Sequence, residues 1–138
     1  MLCWVWVHYC NLKVVGLNGH GYLTIDFTKG NITLVIAPFD MRSGYGSLSA
    51  IAHEYLNIDV NKGGHWIVFI SRSREVAKVI GHDEHGSILI TRRLDKGRYQ
   101  QLLSSATGKA TRQLTPELLM QYLNGACIDV KRTHIYKN

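Results

Sequence analysis

The chain has 138 residues, 46% of them hydrophobic and 19% charged, with 16 Lys and Arg against 10 Asp and Glu. One domain with a real core fits that length, and two prolines with no low-complexity tract exclude a disordered chain. No apolar run approaches the ~20 residues a membrane helix needs, so no membrane role is expected.

Residues 1–36 read as β-rich, with strands expected at 2–8, 12–16, 21–27 and 31–37. The apolar start, with Trp4 and Trp6 alternating with Val5 and Val7, has no basic residue before it and no small-residue cleavage site after it. It therefore reads as a strand and not as a signal peptide. The glycines from Gly16 to Gly21 mark a turn. They are no phosphate loop, because no Lys-Ser or Lys-Thr follows them. Cys3, Cys10 and Cys127 form no paired or zinc-binding spacing, which agrees with ordinary thiols in a reducing, cytoplasmic setting.

A helix is expected over 44–57, where Leu48, Ile51, Ala52, Tyr55 and Leu56 make one apolar stripe. Asp40, Ser43 or Ser47 is expected to cap it, and Gly44 and Gly46 weaken its first turn. Three strands follow. His65 to Ile70 is apolar throughout, as a strand covered on both faces would be. Glu75 to Ile80 and Ser87 to Arg93 then complete an antiparallel meander around the turn at His82-Asp83-Glu84-His85-Gly86. Tyr99, Leu102 and Leu103 suggest a short helix. The last helix, near 115–124, is well signalled: Thr115 as N-cap, Pro116 at the first position, Glu117 near the positive dipole end, Leu114 and Leu119 as a staple, and Asn124-Gly125 as the stop. The expected fold is a single α+β domain on a mainly antiparallel sheet. Residues 1–31 form a β-rich extension packed on or appended to it, 32–126 the main domain and 127–138 a polar tail.

The charge is unevenly placed. Residues 1–71 are balanced, four basic to four acidic, whereas residues 72–112 hold nine basic and four acidic side chains. Six of those nine are Arg, the residue that forks two donors onto a phosphate. Such a local excess is an electrostatic footprint for a polyanion, although a solvated basic face has the same composition. In an antiparallel meander, Arg72, Arg74 and Lys78 would lie across the sheet from Arg92 and Arg93.

The order of motifs resembles the TnpB-type accessory proteins encoded by the second reading frame of bacterial insertion sequences of family sixty-six. The matching stretches are Pro38-Phe39-Asp40-Met41-Arg42, Gly44-Tyr45 with Leu48, Gly64-His65 leading into Val68-Phe69, Arg72 with Lys78, and Asp83 with Gly86. The most specific block is Arg92-Arg93-Leu94-Asp95-Lys96-Gly97-Arg98-Tyr99, and Leu114-Thr115-Pro116 with Leu123-x-Gly125 matches the closing helix. The likeness covers about 32–126, and the first ~30 residues have no counterpart in it. His82 and Ser87 depart from the residues usual at their hairpin positions, and 100–113 is longer and more polar than the family pattern. The resemblance implies a non-catalytic factor that helps a separate transposase, with element-end DNA and the transposase–DNA complex as its partners. An exposed sheet edge would also allow a homodimer.

The candidate nucleic-acid contacts are Arg42, Arg72, Arg74, Lys78, Arg92, Arg93, Lys96 and Arg98, acting on phosphates. No zinc finger or helix-turn-helix offers base readout. Asp40 and Tyr99 are the candidate partner contacts: Asp40 orients Arg42 toward a phosphate or carboxylate, and Tyr99 stacks on a base. The plainer reading makes Asp40 a cap with a local ion pair and Tyr99 a core residue. Neither a cofactor nor a metal is expected, because His82 and His85 flank two acids on a hairpin tip without a third ligand. Two other readings stay open. One is a protein-interaction module without DNA contact; the other is a small nuclease using His65 with His82 as an acid–base pair.

Overall fold

The computed structural model describes residues 3–7, 11–15, 22–40, 42–102 and 111–128, with side chains from Ile25 onward. Three short strands, β1 (Cys3–Val7), β2 (Asn11–Val15) and β3 (Tyr22–Asp26), form an antiparallel sheet in the order of the chain. The chain enters the main core through Ile25 near the end of β3 and Phe27 just after it, both buried.

The main sheet has five strands: β4 (Asn31–Val35), β5 (His65–Ile70), β6 (Val76–Asp83), β7 (Gly86–Arg93) and β8 (Thr111–Leu114). Their order is β7-β6-β5-β4-β8. Every pairing is antiparallel except β4 with β5, which are joined by the crossover helix α1 (Tyr45–Leu56). The expected α+β class and the β5–β6–β7 meander are both present. Strand β8 falls in a segment the sequence left unassigned. The short helix expected around Tyr99 to Leu103 is absent over 99–102, which run without helical structure.

Alternation along the strands divides the core in two. Val35, Ile67, Phe69 and Ile80 pack under Leu48 and Ala52 of α1. Ile32, Leu34, Trp66, Val68, Val79 and Ile90 face the other way, toward α2 (Pro116–Leu123), with Leu119, Met120, Tyr122 and Leu123. β5 therefore lies between two layers, and five of its six residues are buried. That placement accounts for its unbroken apolar run.

The helix ends differ in how they are capped. At α2, the Thr115 Oγ1 accepts the Leu118 N–H at 3.2 Å, as expected. Its C-terminus closes with Gly125 at φ 87°, the Ala126 N–H on the Gln121 carbonyl and the Gly125 N–H on the Tyr122 carbonyl, a Schellman arrangement. At α1 the expected side-chain cap is missing. The N-cap is Gly44, and Asp40 instead accepts the Arg42 N–H in a local turn.

Two close approaches fix glycine positions. A Cβ on Gly81 would lie 2.2 Å from the Trp66 ring, which lies over that residue. Trp66 is held there by its indole N–H on the Lys29 carbonyl at 3.2 Å and by the Phe27 ring edge-to-face at 4.9 Å. Gly30, at φ 115°, abuts the Gly64 carbonyl.

Candidate nucleic-acid interface

The ends of β4 and β5, the starts of β6 and β8, and the end of β7 all fall at one end of the main sheet. Three basic segments meet there and are joined by backbone hydrogen bonds. Residues 38–42 run beside the end of β5, with the Phe39 N–H on the Ile70 carbonyl at 3.3 Å and a parallel bridge between Phe39 and Ser71. The turn 71–75 is closed by Ser71, whose N–H donates to the Val76 carbonyl and whose Oγ accepts the Val76 N–H. Arg74 takes a left-handed conformation in it, at φ 63°. The segment after β7 is tied to the same turn by the Leu94 N–H on the Glu75 carbonyl at 2.9 Å and the Tyr99 N–H on the Arg74 carbonyl at 2.7 Å.

Among the described residues, this end gathers Arg42, Arg72, Arg74, Arg92, Arg93, Lys96, Arg98 and Arg112, against Asp40, Glu75 and Asp95. The opposite end has the reverse balance. Lys29 and Lys62 there face Asp26, Asp59, Asp83 and Glu84, and most of these line one shallow cavity with His82. Among the described residues, charge is thus divided unevenly between the two ends of the strands.

Within the basic end the side chains differ. Arg72, Arg93, Lys96 and Arg98 are exposed. Arg42 is 92% exposed and grips Asp40 bidentately, with Nη2 to Oδ2 at 2.9 Å and Nε to Oδ1 at 3.1 Å. The Arg42 side chain and backbone N–H hold the Asp40 carboxyl down at about 2. That pair sits beside Ser71, Arg72 and Ser73 around a shallow depression. A second, neighbouring cavity is lined by Pro38, Ser71, Arg72, Arg74, Gln100 and Gln101.

Arg92 and Arg93 do not form the single cross-sheet cluster the sequence suggested. Register sets Arg93 opposite Val76 and Arg92 opposite Ala77. Arg93 therefore faces the α1 side, near Glu75 at 3.5 Å, and Arg92 faces the α2 side. The basic end wraps both faces of the sheet.

Two expected contact residues are taken up by the core. Lys78 is only 9% exposed, and its Nζ donates to the Ser43 carbonyl just before α1 at 2.7 Å. Tyr99 is fully buried and stacked on Tyr122 at 5.3 Å, and its hydroxyl lies 3.3 Å from the carbonyls of Arg92 and Leu123. Both residues shape the basic end from beneath. Arg112, Gln100 and the serines of the 71–73 turn join the same end and were not singled out in the sequence. The alternation of Thr111-Arg112-Gln113-Leu114 is the one signal that would have placed Arg112.

The residues of the nuclease reading lie elsewhere. His65 opens β5 and His82 falls near the end of β6, both at the end of the sheet away from the arginines. The Asp83 Oδ1 accepts the N–H groups of His85 and Gly86, so this carboxylate shapes the hairpin. Among the described residues no group of three or more His, Cys, Asp or Glu side chains is placed to hold a metal. No helix among them is long and apolar enough to cross a membrane.

The family described as IS66 Orf2 like protein matches residues 30–133. An uncharacterized protein of Sinorhizobium fredii, y4hO, is 40% identical over 86 residues, covering 62% of this chain and 71% of that one. No solved structure matches. The chain belongs to the IS66 Orf2-like family, and its role is that of an insertion-sequence accessory protein.

Proposed function

Taking that membership as the premise, we propose that the chain is a non-catalytic transposition factor that holds DNA at the basic end of its main sheet and presents it to the transposase of the same element. The observation that carries this reading is the joining of residues 38–42, 71–75 and 92–99 by backbone hydrogen bonds. Folding alone brings arginines from three distant segments to one end of the sheet, on both of its faces, which supports the reading. Segments whose backbone is already fixed lose less freedom on binding, and each phosphate their side chains neutralise releases counterions. The exposed Arg72, Arg93, Lys96 and Arg98 supply most of the contact. Arg42 joins them, with Asp40 fixing its guanidinium. Contact of this kind positions a duplex without reading its sequence, so choice of the element ends falls to the transposase.

Retention of the purified full chain on an immobilised duplex tests the reading. Replacing Arg72, Arg93, Lys96 and Arg98 with Ala is expected to abolish retention, while replacing Lys29 and Lys62 leaves it intact. Loss in both variants, or in neither, contradicts an interface at this end. Capture of the transposase that survives nuclease treatment and the fourfold substitution would assign the basic end to protein contact instead.

A further inference from the structure

The two edges of the main sheet are unequal. β8 is four residues long and Pro116 follows it closely. β7 is eight residues long, and among the described residues no strand pairs with its outer side. A free edge offers a row of unpaired N–H and C=O groups, and proteins usually guard such edges with Pro, Lys, a bulge or a short strand. β7 has none of these over Ser87-Ile88-Leu89-Ile90-Thr91. Its register with β6 is unbroken through eight pairs, from Val76 with Arg93 to Asp83 with Gly86. Leu89 stands 41% exposed at its middle.

We propose that β7 pairs antiparallel with β7 of a second copy about a two-fold axis at Leu89, joining two five-stranded sheets into one of ten. The charge along the strand selects a second copy as the occupant. β7 begins beside the acidic turn at Asp83 and Glu84 and ends in Arg92 and Arg93. With Leu89 opposite its own counterpart, residues 86–92 pair in full. Each Glu84 then comes level with the basic end of the other strand, and the match occurs twice by symmetry. A parallel arrangement would set arginine against arginine and is disfavoured. The pairing also covers Leu89 with itself, removing the apolar exposure at the middle of the edge.

The test is the mass of the full chain in solution, by light scattering on a sizing column at micromolar concentrations. The expected mass is twice 15.6 kDa for the natural sequence. Leu89→Lys places two ammonium groups at the axis and is expected to give the single-chain mass with an unchanged circular dichroism spectrum. Glu84→Lys, at an exposed turn position, is expected to weaken the dimer roughly tenfold, and adding Arg92→Glu, its diagonal neighbour across the axis, to restore it. A single-chain mass for the natural sequence overturns the proposal, as does a dimer indifferent to both substitutions. A natural monomer that gains one transposase segment at β7 would name a different occupant and equally overturn it.

Discussion

The Tyr99 N–H donates to the Arg74 carbonyl at 2.7 Å, and the Arg74 guanidinium reaches back to the Tyr99 carbonyl at 3.5 Å. This reciprocal contact spans 25 positions of sequence and fastens the loop after β7 to the turn before β6. Tyr99 anchors it by filling the core beside Tyr122. Tyr99→Ala is expected to cost ~3–5 kcal/mol of stability, through a cavity under the basic end. Tyr99→Phe keeps the ring and is expected to cost ~1 kcal/mol, for the lost hydroxyl contacts. Urea unfolding of the two variants separates these effects.

Gly81 and Trp66 form a pair in which the missing side chain of one makes room for the ring of the other. Gly81→Ala is expected to destabilise the fold by ~1–3 kcal/mol, because the ring must shift and overpack its neighbours. The displaced indole also loses its bond to the Lys29 carbonyl, so Trp emission is expected to move to longer wavelength. An unchanged spectrum with unchanged stability would contradict the packing described.

Two pH effects follow with opposite signs. The Arg42 side chain and N–H lower the Asp40 carboxyl to about 2 from 3.8. Its contribution is complete above 3.8 and is lost as pH falls through about 2. A carboxyl carbon titration by NMR is expected to place the Asp40 midpoint near that value, and Arg42→Ala to return it toward the ordinary range. Burial raises the Tyr99 phenol to about 12, and burial also raises that of Tyr122. The Tyr99 contribution is complete below 10 and lost as pH rises through about 12, and that of Tyr122 is lost at still higher pH. Phenolate absorbance from these two is therefore expected to appear together with alkaline unfolding.

Pairing through β7 carries a consequence for DNA. An antiparallel dimer sets its two basic ends at opposite ends of the joined strands, separated by roughly the 25 Å that eight residues span. Two duplexes can then be held at once. Energy transfer between separately labelled duplexes is expected with the natural sequence and lost with Leu89→Lys, while each duplex still binds. Equal transfer from both proteins would show that bridging does not use this edge.

Much of this arrangement was legible in the sequence where the signal is local. Thr115-Pro116 opens α2 and Asn124-Gly125 closes it through short-range hydrogen bonds, and the alternation within β7 puts Ile88 and Ile90 on one buried face. Signals that depend on distant partners were not legible. β8 has four residues, and the Gln113 side chain meets the Thr33 hydroxyl 80 positions away. The burial of Lys78 depends on the start of α1 lying over it, and that of Tyr99 on Tyr122, with nothing local to announce either. The gathering of the arginines was seen only as a charge excess. Its geometry needed the register of five strands.

The most direct test of the central claim is the salt dependence of duplex binding by fluorescence anisotropy, for the natural sequence and for Arg72→Ala with Arg93→Ala. The account predicts binding that weakens steeply with salt, and a logarithmic slope smaller by ~2 in the double variant. A slope unchanged by the double substitution, or no binding at low salt, would contradict a DNA interface at the basic end.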